Sequence, residues 1–296
     1  MQKQKNNATK ETRIKSSFWG DAWRRLKQDR AAVVALCVLV LLILCGIFAS
    51  YIAPYPYDLQ DTTATFQLPN AQHLLGTDNF GRDILSRIIY GSRVSLIVGF
   101  SSIIVAIIVG GLLGAISGYY GGKVDNILMR LMDILMAIPG MLLAISLAAV
   151  LKPGLMNLVI AIAIADVPGY ARVVRASVLT IKDQEYIEAA TCIGASDRRI
   201  ILRHIIPNCM APIIVQATLG VAGAILSAAS LSFLGLGLPL EVISWGSMLS
   251  LAQQALLTKS WWAVVIPGIF LVATLLSVTL LGNALRYRNS HNRGKI

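Results

Sequence analysis

The chain has 296 residues, 56% of them hydrophobic and 14% charged, where ordinary soluble domains are about 45–50% apolar and about 25% charged. That composition excludes an ordinary soluble domain. A net charge of +11 is the balance that phosphate binders carry, so its distribution along the chain decides between nucleic acid and a membrane surface.

Nine basic residues, from Lys3 to Arg30, precede the first apolar run. That run is longer than the core of a secretory signal, about 7–15 residues, and lacks a small-residue cleavage site, so it reads as a retained span. Residues 1–30 then form a basic cytoplasmic arm. The first transmembrane helix is 31–53, AAVVALCVLVLLILCGIFASYIA, stopped by Pro54 and Pro56. Residues 54–92 read as an extracytoplasmic segment. The second span, VSLIVGFSSIIVAIIVGGLLGAIS, closes at the glycine-rich GYYGG. The third runs from Ile127 to Leu151 and carries Arg130, Asp133 and the Pro139-Gly140 pair. The fourth starts near Leu155, holds Asp166 and Pro168, and fades after Arg172. The fifth covers Cys209 to Leu234 and the sixth Trp261 to Leu285. These lengths are near the about 20 residues that cross about 30 Å of hydrocarbon. The fold class is an all-α integral membrane protein with six transmembrane helices.

Lys and Arg in the connections set the orientation, because cytoplasmic loops retain positive charge. With both termini cytoplasmic, the inner segments carry nine, one, six and four basic residues, and the outer ones three, one and one. The last inner segment is the tail, 286–296. Positive charge then faces the cytoplasm and its anionic lipid, and nucleic acid is not needed as a partner.

GGLLG in the second span and GVAGAILSAAS in the fifth supply small residues that let helices approach closely in lipid. The four cysteines have no C-x-x-C spacing and the three histidines sit in three segments. Neither a zinc site nor a nucleophile with its base can be assembled. SGYYGGKV, Ser117 to Val124, resembles a phosphate-cradling loop, but that motif needs Gly at its first position and Ser or Thr after the lysine. The chain reads as non-catalytic, with no metal or cofactor of its own. Arg130 and Asp133 lie three apart on one helix face and are expected to neutralise each other. A proton relay through Asp133 and Asp166 is the alternative use of such intramembrane charge.

Between the fourth and fifth spans lies a polar island, EAATCIGASDRRIILRHIIPN, Glu188 to Asn208. Thr180-Ile-Lys-Asp183 has capping-box spacing and is expected to open a helix. Tyr186, Ile187, Ala190 and Ile193 then form an apolar stripe, with Glu185 and Glu188 off it. Gly194 ends this helix, and Ser196 caps a second one that runs to Pro207. Arg198, Arg199 and Arg203 suit anionic lipid, but Asp183, Glu185 and Glu188 would be repelled by it. Small Ala189 and Ala190 favour a protein groove, so the island is expected to dock a soluble partner.

At these residues the chain resembles the integral-membrane permease subunits of bacterial ABC importers. Their cytoplasmic signature is E-A-A, three residues, Gly, nine residues, then I-x-L-P. Glu188-Ala189-Ala190, Gly194 and His204-Ile205-Ile206-Pro207 match it, with His204 in place of Ile and Ile206 in place of Leu. Three further stretches are similar to the C-type permeases for dipeptides, oligopeptides and nickel: LGTDNFGRDILSRIIYGSRVSL (Leu75 to Leu96), ASLSFLGLGLP (Ala229 to Pro239) and SWGSML (Ser244 to Leu249). The tail RYRNSHNRGKI departs from them. The resemblance implies a type I ABC importer permease fold, with its core at 93–285 and a coupling loop at about 180–207. It also implies partners: a second homologous permease, two cytoplasmic ATPase subunits that bind ATP and Mg, and an extracytoplasmic solute-binding protein. The implied location is the bacterial cytoplasmic (inner) membrane. Glu185, Glu188, Ala189, Ala190, Ile193, Gly194 and Pro207 would make or shape the ATPase contact. The implied cargo is a short peptide, with nickel or a metal chelate as the alternative.

Overall fold

Lipid cannot solvate a backbone, so a spanning segment has to close its hydrogen bonds internally, and helices result. The computed structural model describes Lys27, 29–239, 241–253, Ala255 and 260–291. Helix α1, Arg30–Ile47, is capped by Asp29, whose carboxylate accepts from the Ala31 and Ala32 amides. A short α2, Ala49–Ile52, ends before Pro54. Helix α3, Ile84–Tyr120, has 37 residues and starts well before the expected Val94. Asp83 caps it by accepting from the Ser86 amide at 2.8 Å. Arg87 and Arg93, which made this stretch look like a loop, donate to the carbonyls of Tyr57, Gly46 and Ile47.

The third span is not a continuous helix. Helices α4, Gly122–Ala137, and α5, Gly140–Leu151, meet at an angle of 88°. Proline forces the residue before it towards extended backbone, and Ile138 accordingly sits at φ −92°, ψ 128°. Helix α6, Leu155–Ile181, continues past Arg172 and holds Pro168 in its interior. The polar island holds α7, Glu185–Cys192, α8, Asp197–Ile200, and α9, Ile206–Asn208. Helices α10, Met210–Phe233, α11, Trp245–Leu251, and α12, Trp262–His291, follow. Among the described residues five helices are long and apolar enough to cross a membrane, or six if the bent pair is one span. Most of the basic arm, Lys259 and the last residues of the tail lie outside the described residues.

Helix α3 packs along α6 backbone to backbone. A Cβ at Gly114 would overlap the Ala171 carbonyl and one at Gly110 the Val167 carbonyl, so GGLLG supplies the close approach that packing in lipid requires. At the other end of α3, residues 54–83 fold into an ordered cover. The Tyr55 amide donates to Ser86 Oγ at 3.1 Å, and the Thr77 hydroxyl donates to the Ala64 carbonyl at 2.5 Å. Ser244 and Ser247 form a capping box that starts α11 and seats Trp245, which is fully buried. The Trp245 amide donates to Ser95 Oγ at 3.1 Å and its indole to the Ile88 carbonyl at 3.2 Å. The stretches Leu75–Leu96 and Ser244–Leu249 therefore meet in space.

Candidate functional site

Thr180 does not open the island. Its hydroxyl donates to the Ser177 carbonyl at 2.7 Å inside α6, which runs on to Ile181. Helix α7 starts instead after Gln184, which has extended backbone and makes no side-chain cap. Glu185 and Glu188 in its first turn favour the positive end of the helix dipole. At its other end Gly194 has φ +77°. The Ala195 amide donates to the Ala190 carbonyl at 3.1 Å and the Gly194 amide to the Thr191 carbonyl at 3.0 Å, the paired bonds of a Schellman terminus. The expected glycine bend is present.

The expected apolar stripe splits. Ile187 (3% exposed) and Ala190 (6%) join the buried cluster of Val174, Val178, Ile200, Ile201 and Ile205, while Ile193 (85%) and Tyr186 (41%) face outward. Ile193 lies beyond Cys192 at φ −83°, ψ 8°, so the helical period no longer sets its direction. Of the residues expected to contact a partner, Glu185, Glu188, Ala189, Ile193 and Gly194 are exposed. Ala190 is withdrawn into the chain's own core. Pro207 is exposed but does not end the second helix. Helix α8 passes into a π-turn, Ile201–Ile205, then into α9 with Pro207, and α10 begins at Met210. The wider turn accommodates the amide that proline lacks. Ser196 occupies the cap position of α8 without a side-chain bond.

Sequence reasoning missed the tie between the island and α3. The Tyr119 hydroxyl donates to Asp197 Oδ1 at 2.9 Å, yet GYYGG signals only a helix end. Beside α7 lies a groove of about 520 Å³ lined by Tyr119, Lys182, Asp183, Ile187, Glu188, Thr191 and Cys192.

The expected Arg130–Asp133 pair is not formed. Asp133 accepts from Arg172 Nη2 of α6 at 2.6 Å, and both side chains are about half exposed. Arg175 grips Asp125 through Nε and Nη2, each at 2.5 Å, and Ser117 donates to the same carboxylate. Arg130 has no side-chain partner among the described residues. These charged groups, with Asn126 and Met129, line a cavity of about 450 Å³ between α4 and α6. Asp166 is not among its lining residues. Among the described residues no three His, Cys, Asp or Glu side chains come together to hold a metal.

Residues 110–291 match the family of binding-protein-dependent transport system inner membrane components. The chain belongs to this family. Residues 17–70 of the permease match a second family, the N-terminal TM domain of oligopeptide transport permease C. The permease is 44% identical to the dipeptide transport system permease protein DppC of Alkalihalophilus pseudofirmus, covering 91% of this chain and 88% of that one. It is 41% identical to the di/tripeptide permease DppC of Pseudomonas aeruginosa, covering 89% of each chain. It is 40% identical to the glutathione permease GsiD of Pectobacterium atrosepticum, covering 90% of this chain and 89% of that one. Its fold is similar to a chain of the inward-facing MetNI methionine ABC transporter, with a TM-score of 0.55 and 17% identity over 68% of this chain and 95% of that one. The permease is thus the non-catalytic membrane subunit of an ABC importer and forms its translocation path. ATP is hydrolysed in separate ATPase subunits, and such transporters combine permease, ATPase and solute-binding components.

Proposed function

We propose that the permease carries short peptides and receives the work of ATP through α7. It crosses the bacterial cytoplasmic membrane six times with both termini inside. It pairs with a second homologous permease, two ATPase subunits and an extracytoplasmic solute-binding protein. The observation that carries this reading is the division of α7 into two faces. Ile187 and Ala190 lock one face to the chain's own core, while Glu185, Glu188 and Ala189 stand free on the other and Ile193 is exposed just past the helix end. A helix held on one side can pass on a force applied to the other.

The routes for that force are short. Val174 and Val178 of α6 pack in the same buried cluster as Ile187. The Tyr119–Asp197 bond leads to α3, and the π-turn leads into α10. Docking shifts the balance between inward-open and outward-open states only if the ATPase binds them with different free energy. A rigid seat makes that difference reach the spans.

The peptide cargo is supported by the relatives, which are named for dipeptides, di/tripeptides and glutathione. The nickel or metal-chelate reading has no such support among them. The orientation is supported by the basic residues of the connections and by Arg198 and Arg199, which are exposed beside α7. The proposed division is 1–30, 31–53, 54–92, 93–285 and 286–296.

The test is co-purification and uptake with Glu188→Lys and Gly194→Asp in the assembled complex. Both variants are expected to lose the ATPase subunits and peptide uptake, and wild-type behaviour in both would overturn the coupling role. A strain lacking this chain that regains nickel uptake, but no peptide uptake, on complementation would overturn the cargo.

A further inference from the structure

The charged cavity between α4 and α6 takes no part in the coupling described above. Helix α6 has 27 residues and is about 40 Å long, about 10 Å more than the hydrocarbon layer. With the whole excess beyond its C-terminal end, Arg172 lies about 5 Å inside the apolar layer, at its cytoplasmic edge. An exposed Asp133–Arg172 pair at that edge faces water or a bundle interior more readily than lipid, as intramembrane charges do. The break at the end of α4 has a similar requirement. Non-helical backbone at Ile138 and Pro139 is tolerated within a membrane only where it is buried in protein or lines a water-filled cavity.

The cavity's size, about 450 Å³, falls within the about 300–1,000 Å³ of small-molecule sites. Its charges are unevenly matched. Arg175 is committed to Asp125 and Arg172 to Asp133, which leaves Arg130 uncommitted. Asn126, Arg130 and Asp133 share one face of α4 by helical spacing, and all three line the cavity. An unpaired guanidinium beside two closed ion pairs attracts an anion, and its planar fork suits a carboxylate.

We propose that this cavity lies on the solute path and that Arg130 is a transient station for the carboxylate of the passing solute. The closed pairs Asp133–Arg172 and Asp125–Arg175 keep the site from holding more than one such charge. A single exposed contact gives weak binding, which a path requires if the solute is to leave again. The inference rests on the peptide reading, in which the carboxylate is that of the peptide C-terminus.

The experiment compares wild type, Arg130→Gln and Arg130→Lys as complete complexes in proteoliposomes, using one dipeptide with a free C-terminus and the same dipeptide amidated. Arg130→Gln is expected to lower the maximal uptake rate of the free-acid dipeptide about tenfold, the effect of one charge-assisted contact. Amide uptake should change less than twofold, and Arg130→Lys, which keeps the charge but not the fork, should restore part of the free-acid rate. An equal loss on both peptides overturns the inference while leaving the peptide reading intact. So does a loss that follows the anionic lipid content of the vesicles and not the peptide terminus, which would assign Arg130 to a headgroup phosphate. A wild-type complex that imports neither peptide overturns the cargo reading itself.

Discussion

The Tyr119 hydroxyl donates to Asp197 Oδ1 at 2.9 Å, joining the end of α3 to the start of α8 across 78 residues of sequence. The bond is exposed and its loss costs about 0.5–1.5 kcal/mol, too little to unfold the chain. Tyr119→Phe should therefore assemble normally but transport fewer peptides per ATP. The ratio of uptake to phosphate release in proteoliposomes measures this, and an unchanged ratio would remove the bond from the force route.

The two faces of α7 should separate stability from docking. Ile187→Ala empties a buried position and is expected to cost about 2–5 kcal/mol, seen as a lower melting temperature of the detergent-purified permease. Ile193→Ala should leave melting within about 0.5 kcal/mol of wild type and weaken ATPase co-purification. If the two variants exchange these phenotypes, the assignment of faces is wrong.

Gly114 and Gly140 offer a matched pair within the spans. Gly114→Val would drive a side chain into the Ala171 carbonyl, whereas a Cβ at Gly140 has nothing within 4 Å. The first variant should fail to accumulate as a monodisperse protein, and Gly140→Ala should behave as wild type. Size-exclusion profiles after mild solubilisation distinguish them.

Trp245 fastens α11 to α3. Trp245→Ala should cost about 3–5 kcal/mol, because a buried ring is lost and the Ile88 carbonyl loses its indole donor, while the backbone bond to Ser95 remains. Trp245→Phe keeps most of the volume and should lose less. Thermal unfolding of the two variants side by side gives the comparison, and equal losses would assign the whole effect to the indole bond.

Cys192 is exposed on α7 and Cys209 is buried. A membrane-impermeant maleimide should label a variant retaining only Cys192 in inverted vesicles and not in intact spheroplasts. Labelling in intact cells would reverse the proposed orientation.

The spans were legible because an apolar run of membrane length leaves few alternatives to a helix. Their ends were less so. Arg87 and Arg93 disguised the first turns of α3, since a guanidinium that will bond to a distant carbonyl looks the same in sequence as one that meets water. Thr180 and Asp183 have the spacing of a cap, but the helix already in progress from Leu155 simply ran through Thr180. At the island, composition identified the segment and Gly194 identified its bend. Which residues faced outward was not readable, because Ile193 lies where the chain leaves the helix. Arg130 and Asp133 showed the same limit: spacing on one helix cannot weigh a partner such as Arg172 arriving from another.

Helix α7 keeps the residues that fold it and the residues that would meet a partner on opposite sides. Substitutions on the outer side can thus accumulate without destabilising the chain. Within a cell holding several importers, such a permease could be matched to one ATPase or shared among several by changing a few exposed side chains, with the membrane path left as it was.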